Sequence, residues 1–351
     1  MANLETAIML NLHLFAAAPA ATSSGPATVQ EAVKLNLQSP IILAFVFGNV
    51  LTMVRSEFKF PEALYQSLVI YLLLGIGLEG GVALSYTPIS QFWAPVLASL
   101  FLGVVIPLTA YFLMHKVGKF DASNSAAIAA VYGSTSIVTF FASLDFLKVL
   151  KIPYDGFMLA LLSLPEVPAI IVSLILLHTS HGKVKSWGHL WHEVLTEASV
   201  ILVLGGIFIG YIAGEESFKQ VSSVFVDPFR GILTLFLIET GMVAAQRFRD
   251  LTKVGLFLVG FGVVMALIYG LLGVGLGRLT GLSIGGSVVL GGIAAGASYI
   301  GAPIAVRLAI PKANPGYYLT AALAITLPFN LTLGIPLYYG FAELLYNGRL
   351  G

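Results

Sequence analysis

The sequence has no cysteine and little charge. The lack of cysteine excludes disulfides, zinc–thiolate sites and thiol nucleophiles. Charged residues make up 10% of the 351 residues, whereas a soluble globular protein carries about 25%. The formal net charge is +1, so the composition does not favour a nucleic-acid partner. We also predict that the chain is not an enzyme, because no histidine lies inside the central apolar runs to act as a base for their serines.

The chain consists mostly of long apolar runs. Hydrophobic residues make up 58% of it, and the mean hydropathy is +0.93. A helix needs about 20 apolar residues to cross a bilayer. We therefore predict an all-α integral membrane protein with ten transmembrane helices, at about 39–55, 62–84, 92–114, 122–144, 154–177, 197–214, 226–246, 252–277, 283–309 and 316–346.

The ten helices divide into two halves of five. We predict an N-terminal tail over 1–36, a first repeat over 37–177, a linker over 178–196 and a second repeat over 197–346, together one membrane transport domain. Residues 1–28 end in small residues, as a signal peptide does, but they lack its basic start, so a tail is favoured over a cleaved signal. Because five is odd, the second copy must cross the membrane in the opposite direction, which makes the repeat inverted.

Two short polar stretches, at residues 133–136 and 296–299, lie inside apolar runs and are 163 residues apart. The same offset relates Tyr154 to Tyr317. Small polar residues at membrane depth are costly unless they line a cavity or bind something. Two of them at matching places are typical of the central site of inverted-repeat transporters. We predict that the helices at about 122–144 and 283–309 are broken crossover helices with core and gate elements around them.

These two polar stretches supply the predicted substrate site. The N-terminus of a half-helix offers free N–H groups and a partial positive charge to an anion. Hydroxyls add hydrogen-bond donors, and glycine lets the backbone approach; the alternative is that small residues serve only helix packing. The predicted substrate-binding residues are Gly133, Ser134, Thr135, Ser136, Gly296, Ala297, Ser298 and Tyr299.

A coupling cation needs oxygen ligands. Glu166 lies between two prolines, whose missing N–H groups free backbone carbonyls. We predict that Glu166 binds sodium together with Thr139, Thr326 and Asn330. A protonated carboxyl, or a pair with Arg307, is the alternative for Glu166. No cofactor and no metal other than sodium is predicted.

Three further charged residues are predicted to lie along the transport pathway or at its gate. Glu79 and Glu239 occupy similar places in the two repeats, and intramembrane carboxylates are functional by default. Arg307 either attracts the anion or anchors the helix at the membrane surface.

The distribution of lysine and arginine predicts the orientation. Of the 18 basic residues, 11 fall on one side of the predicted spans and 7 on the other. By the positive-inside rule, both termini lie outside and the 178–196 linker lies in the cytoplasm. The protein is therefore predicted to be a multi-pass protein of the plasma (inner) membrane.

Several segments resemble a known family over about residues 37–340. They are Gly133-Ser134-Thr135, Lys151-Ile152-Pro153-Tyr154, Asp227-Pro228-Phe229-Arg230-Gly231, Gly241-Met242, Gly285-Gly286-Ser287-Val288-Val289-Leu290 and Arg307-Leu308-Ala309-Ile310-Pro311-Lys312-Ala313-Asn314-Pro315. They resemble the sodium-dependent bicarbonate transporter family of the SbtA type. Where that family typically has a serine-rich run with an aspartate, this chain has Gly296-Ala297-Ser298-Tyr299.

The resemblance implies a core domain, a gate domain and a homotrimer in membrane lipid. It implies sodium-coupled symport of bicarbonate or a similar small anion into the cell, and a cytoplasmic face that a PII-like protein regulates. Three alternatives stay open. One is a permease of the same fold for a larger organic anion, and another is a cation–proton antiporter. The third is a membrane receptor or scaffold that transports nothing.

Overall fold

The computed structural model describes residues 29–162, 164–181 and 198–348. Within those residues the protein is helical and has no strand. Residues 1–28 of the predicted tail and most of the predicted linker lie outside the described residues. The rest of the tail differs from the prediction, because Val29–Leu37 forms a helix, α1, which packs on the last helix of the chain. Asn36 Nδ2 fixes it there by donating to Leu331 O at 2.6 Å.

The helices of the first half follow the predicted order. They are α2 (Pro40–Met53), α3 (Glu62–Tyr86), α4 (Ile89–Phe112), α5 (Ala122–Gly133), α6 (Ile137–Val149) and α7 (Glu166–His181). A π-helical turn extends α4 over Leu113–Val117, and a 3₁₀ segment, Gly156–Leu161, precedes α7.

The second half of the described chain is also helical. Its helices are α8 (Ala198–Phe225), α9 (Phe229–Phe248), α10 (Leu256–Leu279), α11 (Ile284–Ala295), α12 (Gly301–Ala309) and α13 (Pro315–Asn347). Gly214 interrupts α8 with a left-handed φ of 64°, and α13 contains two π-helical segments, Ala321–Thr326 and Asn330–Gly334.

Four helices form one packing group, which we call the gate. Helix α3 packs along α8, and α2 packs along α9. Glycine makes both contacts possible, since a Cβ on Gly206 would lie 2.8 Å from the Cα of Gly77. In the second pair, Gly241 lies directly against the carbonyl of Phe45. Small residues of this kind let helix backbones approach each other closely in a membrane.

The remaining membrane helices, α4–α7 and α10–α13, form a second packing group, which we call the core. Helix α4 packs on α5 and α7, while α10 packs on α11 and α13. Every residue of α5 is buried, and so is every residue of α11 after Ile284. The broken helices therefore lie at the centre of the core, shielded from lipid by their neighbours.

Ten membrane helices were predicted, two of them broken, and the described residues contain seven helices long and apolar enough to cross a membrane. An eighth is possible if α1 and α2, which meet at a bend of 58°, count as one span. The predicted ninth helix is two short helices, α11 and α12. The predicted fifth begins in an extended and 3₁₀ segment, because Pro165 interrupts helical hydrogen bonding. Glu166, which was predicted inside this helix, is therefore the first residue of α7.

Candidate functional site

Both predicted crossover helices are broken at the predicted polar stretches. Helix α5 ends at Gly133 and α6 begins at Ile137, so residues 134–136 form the first break. Ser134 and Ser136 have extended backbones there, with ψ of 150° and 113°. Ser136 caps α6 by accepting a hydrogen bond from the N–H of Thr139 at 3.2 Å. Short hydroxyl side chains stabilise such an interruption because they replace the missing helical hydrogen bonds.

The second break spans residues 296–300, between α11 and α12, and it touches the first. The N–H of Ser298 donates to the carbonyl of Val131 in the last turn of α5, at 2.9 Å. Gly296 lies against Ser136, since a Cβ at Gly296 would be 2.8 Å from the backbone nitrogen of Ser136. The C-terminus of each first half-helix therefore meets the other broken helix at one point. Helices α6 and α12 begin at this point, and their N-termini carry partial positive charge.

Two hydroxyls at this crossing have no hydrogen-bond partner among the described residues. They are Ser134 Oγ and Thr135 Oγ1, and the two residues are 1% and 2% exposed. A buried polar atom without a partner costs about 1–3 kcal/mol, so folded proteins rarely leave two side by side. The first break is thus equipped to donate hydrogen bonds to a ligand.

The other hydroxyls of the crossing are already engaged. Ser136 Oγ accepts from both the N–H and the hydroxyl of Thr139, the latter at 3.1 Å. Ser298 Oγ accepts from the N–H of Ala302 at 3.4 Å, which stabilises the start of α12. Since Gly296 and Ala297 have no polar side-chain atom, the two fully unpartnered hydroxyls of the crossing both lie on the first break.

Tyr299 points from the second break to the gate. Its phenol lies 3.4 Å from the hydroxyl of Thr240 on α9, and Thr240 itself donates to Phe236 O at 3.0 Å. Tyr299 is therefore the donor to Thr240. Glu239 and Tyr65 of the gate are close enough to Tyr299 to interact with it electrostatically. This places Tyr299 at the boundary between core and gate.

The predicted cation ligands do not form one cluster of free oxygens. Thr326 Oγ1 donates to Gly262 O at 2.9 Å and bonds to the Tyr132 hydroxyl at 2.7 Å. Asn330 Nδ2 donates to Ala295 O, the last residue of α11, at 2.8 Å. Asn330 Oδ1 accepts from the Tyr338 hydroxyl at 2.7 Å.

Their positions nevertheless relate to the crossing. Both Thr326 and Asn330 lie in the π-helical segments of α13, a feature that often marks functional sites. Asn330 contacts the residue that precedes the second break, and Thr139 lies in the first turn after the first break. Glu166 is buried at the first residue of α7, which packs on α5.

The predicted gate residues lie on both sides of the boundary between gate and core. Glu79 on α3 is half-buried and within electrostatic range of Lys148 at the end of α6. Glu239 on α9 is half-buried beside Tyr65. Arg307 on α12 is exposed, which agrees with an anchor at the membrane surface.

Each broken helix is also fixed at its start by the other half of the chain. Asp155 Oδ2 accepts from the N–H and the hydroxyl of Ser283, the residue that caps α11, at 2.9 and 2.7 Å. Asn124 Oδ1, in the first turn of α5, accepts from the N–H of Asn314 at 2.7 Å. The two crossover helices are therefore each held at the crossing and at the outer end.

Comparison with protein families gives one match. The Na⁺-dependent bicarbonate transporter superfamily matches residues 40–343, which is most of the chain. The chain belongs to this superfamily. Among curated proteins, none matches the chain. Superfamily membership and the apolar helices together make it a multi-pass membrane transporter of the bicarbonate class.

Several residues that shape this superfamily member were not among the sequence predictions. Tyr132 bonds to Thr326 inside the core, and Asp145 on α6 pairs with Arg230 on α9. Asp155 caps α11 through Ser283. One signal was available for Asp145, since a carboxylate that directly follows the apolar run of a predicted span, at about 122–144, demands a partner. The identity of its partner, 85 residues away in the sequence, could not be read from spacing.

Proposed function

We propose that the protein is a sodium-coupled symporter of bicarbonate or a similar small anion, and that its core moves against its gate. The pair of buried, unpartnered hydroxyls of Ser134 and Thr135 carries this proposal. They lie where half-helix ends converge, so a small anion there meets hydroxyl donors and the positive ends of helix dipoles. Superfamily membership supports the same substrate class.

We further propose the inverted repeat of ten membrane segments. The pairing of helices supports it, because α4–α5, α5–α7 and α4–α7 contacts recur as α10–α11, α11–α13 and α10–α13 contacts. In the gate, the α3–α8 contact has its counterpart in α9–α2. The residues that directly precede each broken helix are alike as well. Lys119 and Gly281 both have positive φ, of 59° and 81°, and Asp121 and Ser283 both cap the following helix.

For sodium, we propose Glu166 as the carboxylate that balances its charge from the start of α7. Backbone carbonyls that the first break frees from helical bonding would supply further oxygens. Thr326 and Asn330 already have partners within hydrogen-bond distance. We therefore assign them to the framework that holds α13 against the crossing, rather than to the first ligand set.

The alternatives find less support in the site. A larger organic anion was suggested by the small side chains of Gly296 and Ala297, but Gly296 is closely packed on Ser136 and leaves no added space there. A cation–proton antiporter needs a carboxylate at the crossing, and neither break has an acidic residue. The homotrimer and the PII-like regulator stay predictions, since most of the linker lies outside the described residues.

Uptake of labelled bicarbonate into proteoliposomes, with and without a sodium gradient, tests the function. We expect sodium-stimulated uptake that falls about tenfold or more in Ser134→Ala and Thr135→Val, because each loses a hydrogen bond to an anion worth about 1.5–3 kcal/mol. Thr332→Val is the matched control, since the Thr332 hydroxyl bonds only to carbonyls of its own helix, Pro328 and Phe329.

Sodium titrations of Glu166→Gln separate the cation from the anion. The variant should need a higher sodium concentration for half-maximal uptake. Uptake that is the same without sodium would contradict the coupling, and full uptake by both hydroxyl variants would contradict the anion site.

A further inference from the structure

A buried carboxylate of the core is held by two elements of the gate. Asp145 lies near the end of α6, and its side chain is 5% exposed. Arg230, in the first turn of α9, donates to its Oδ1. Ser39, at the N-cap position of α2, donates to its Oδ2 at 2.7 Å. Both carboxylate oxygens are thus bound across the boundary between core and gate, and we call this contact the latch.

The surrounding charges show that the latch is not a second anion site. Lys148, one turn beyond Asp145, is within electrostatic range of Arg230, Asp145 and Glu79. The cluster mixes basic and acidic side chains, so it does not present the uniform positive charge of an anion site. The end of α6 therefore brings one acidic and one basic residue to the latch.

Helix α6 connects the latch directly to the substrate site. It begins at Ile137, next to the first break, and ends at Val149 without interruption. Ser136 and Thr139 lie at one end of this half-helix and Asp145 at the other. Because a helix of this length moves as a rigid rod, a displacement of the first break relative to the gate pulls Asp145 away from Arg230 and Ser39.

We propose that the Asp145–Arg230–Ser39 latch holds the core in the position seen here and must open once in every transport cycle. This inference rests on the proposed movement of the core against the gate. Charge-assisted hydrogen bonds are strong and directional, and a contact present in only one of two conformations shifts their populations. Arg230 and Ser39 are therefore positioning residues that favour one conformation and do not touch the substrate.

A thiol-labelling experiment tests the latch without any substrate. The chain has no cysteine, so Thr240→Cys introduces a single thiol where the gate meets Tyr299. Thr240 is 1% exposed, so a maleimide reaches this position only when core and gate separate. We expect Arg230→Gln to raise the labelling rate several-fold, and Arg230→Lys, which keeps the charge, to raise it less.

Lys219→Gln is the matched control. Lys219 pairs with Glu216 at 3.0 Å within α8, so its loss breaks an ion pair without affecting the boundary between core and gate. Its labelling rate should equal that of the parent. Equal labelling rates in Arg230→Gln and the parent would overturn the latch.

A crosslink provides the second test. In Ser39→Cys with Asp145→Cys, a short bifunctional thiosulfonate should stop sodium-driven bicarbonate uptake, and a reductant should restore it. Uptake that continues after the crosslink is confirmed by mass would overturn the proposal. If the parent protein does not take up bicarbonate at all, the proposed function fails, whereas the labelling rates still decide whether the latch exists.

Discussion

The residues of the crossing show how one position can serve either packing or binding. Gly296 and Ser134 lie in matching stretches, but Gly296 is pressed against Ser136 and Ser134 keeps an unpartnered hydroxyl. Their difference comes from the neighbours, since the second break fills the space beside the first. The two polar stretches are therefore complementary. The first can donate hydrogen bonds, and the second is small enough at Gly296 to pack closely against the first.

Replacement of Gly296 by alanine should disrupt this approach. The new Cβ would lie 2.8 Å from Ser136 N and 2.9 Å from Ser136 Cβ, and forced packing of this kind costs about 1–3 kcal/mol. We expect a lower midpoint of thermal unfolding in detergent and loss of uptake. Gly275→Ala, where a Cβ meets nothing within 4 Å, should be neutral. Equal midpoints for the two variants would show that the breaks are not closely packed.

At the scale of the helices, the local sequence specifies where a helix starts but not which distant segment it contacts. Asp121, Ser136, Ser283 and Asn314 each accept a backbone N–H of the helix they precede, as short polar residues commonly do at this position. Ser283 does more, since its N–H and hydroxyl both donate to Asp155 from the first half of the chain. A local cap thereby becomes a link between the two halves of the chain.

Ser283→Ala should loosen α11 from the first repeat. The cap is worth about 1 kcal/mol, and Asp155 also loses a hydrogen-bond donor, so the loss of stability should exceed that of an ordinary cap. Thermal unfolding in detergent measures it. Ser67→Ala is the control, because that exposed hydroxyl bonds only to Ala63 O of its own helix. A Ser283→Ala midpoint no lower than that of the control would contradict the link.

In the whole molecule, the proposed five membrane crossings per repeat give the two repeats opposite orientations. The proposed arrangement places Lys116, at the end of α4, and Glu216, in the last turns of α8, on opposite sides of the membrane. Both residues are exposed. The bias of lysine and arginine predicts that Lys116 lies in the cytoplasm.

Labelling of intact cells checks this orientation. A membrane-impermeant maleimide should modify Glu216→Cys but not Lys116→Cys, and both should react after permeabilisation. The absence of native cysteine makes the parent chain the blank. Labelling of Lys116→Cys alone in intact cells would reverse the predicted orientation, and labelling of both would contradict the number of crossings.

Local composition was sufficient to predict the helical class, both helix breaks and the buried position of their hydroxyls. It was insufficient for Glu166, which was predicted in mid-span and starts a short helix. It also missed α1, because its first residues are polar enough to suggest a tail. Prediction from apolar length fails at both places, since it counts hydrophobic residues and does not register where proline or a neighbouring helix redirects the chain.

The sequence by itself determined that this is a membrane protein with two broken helices, because apolar runs, prolines and small polar residues act within a few positions along the chain. Only the tertiary structure decided which hydroxyls stay free, since Ser134 and Ser298 differ in their neighbours rather than in their chemistry. It alone also joined Asp145 to Arg230 and Asp155 to Ser283. Such pairs depend on how helices that are distant in the sequence pack against one another, and no local sequence pattern encodes that packing.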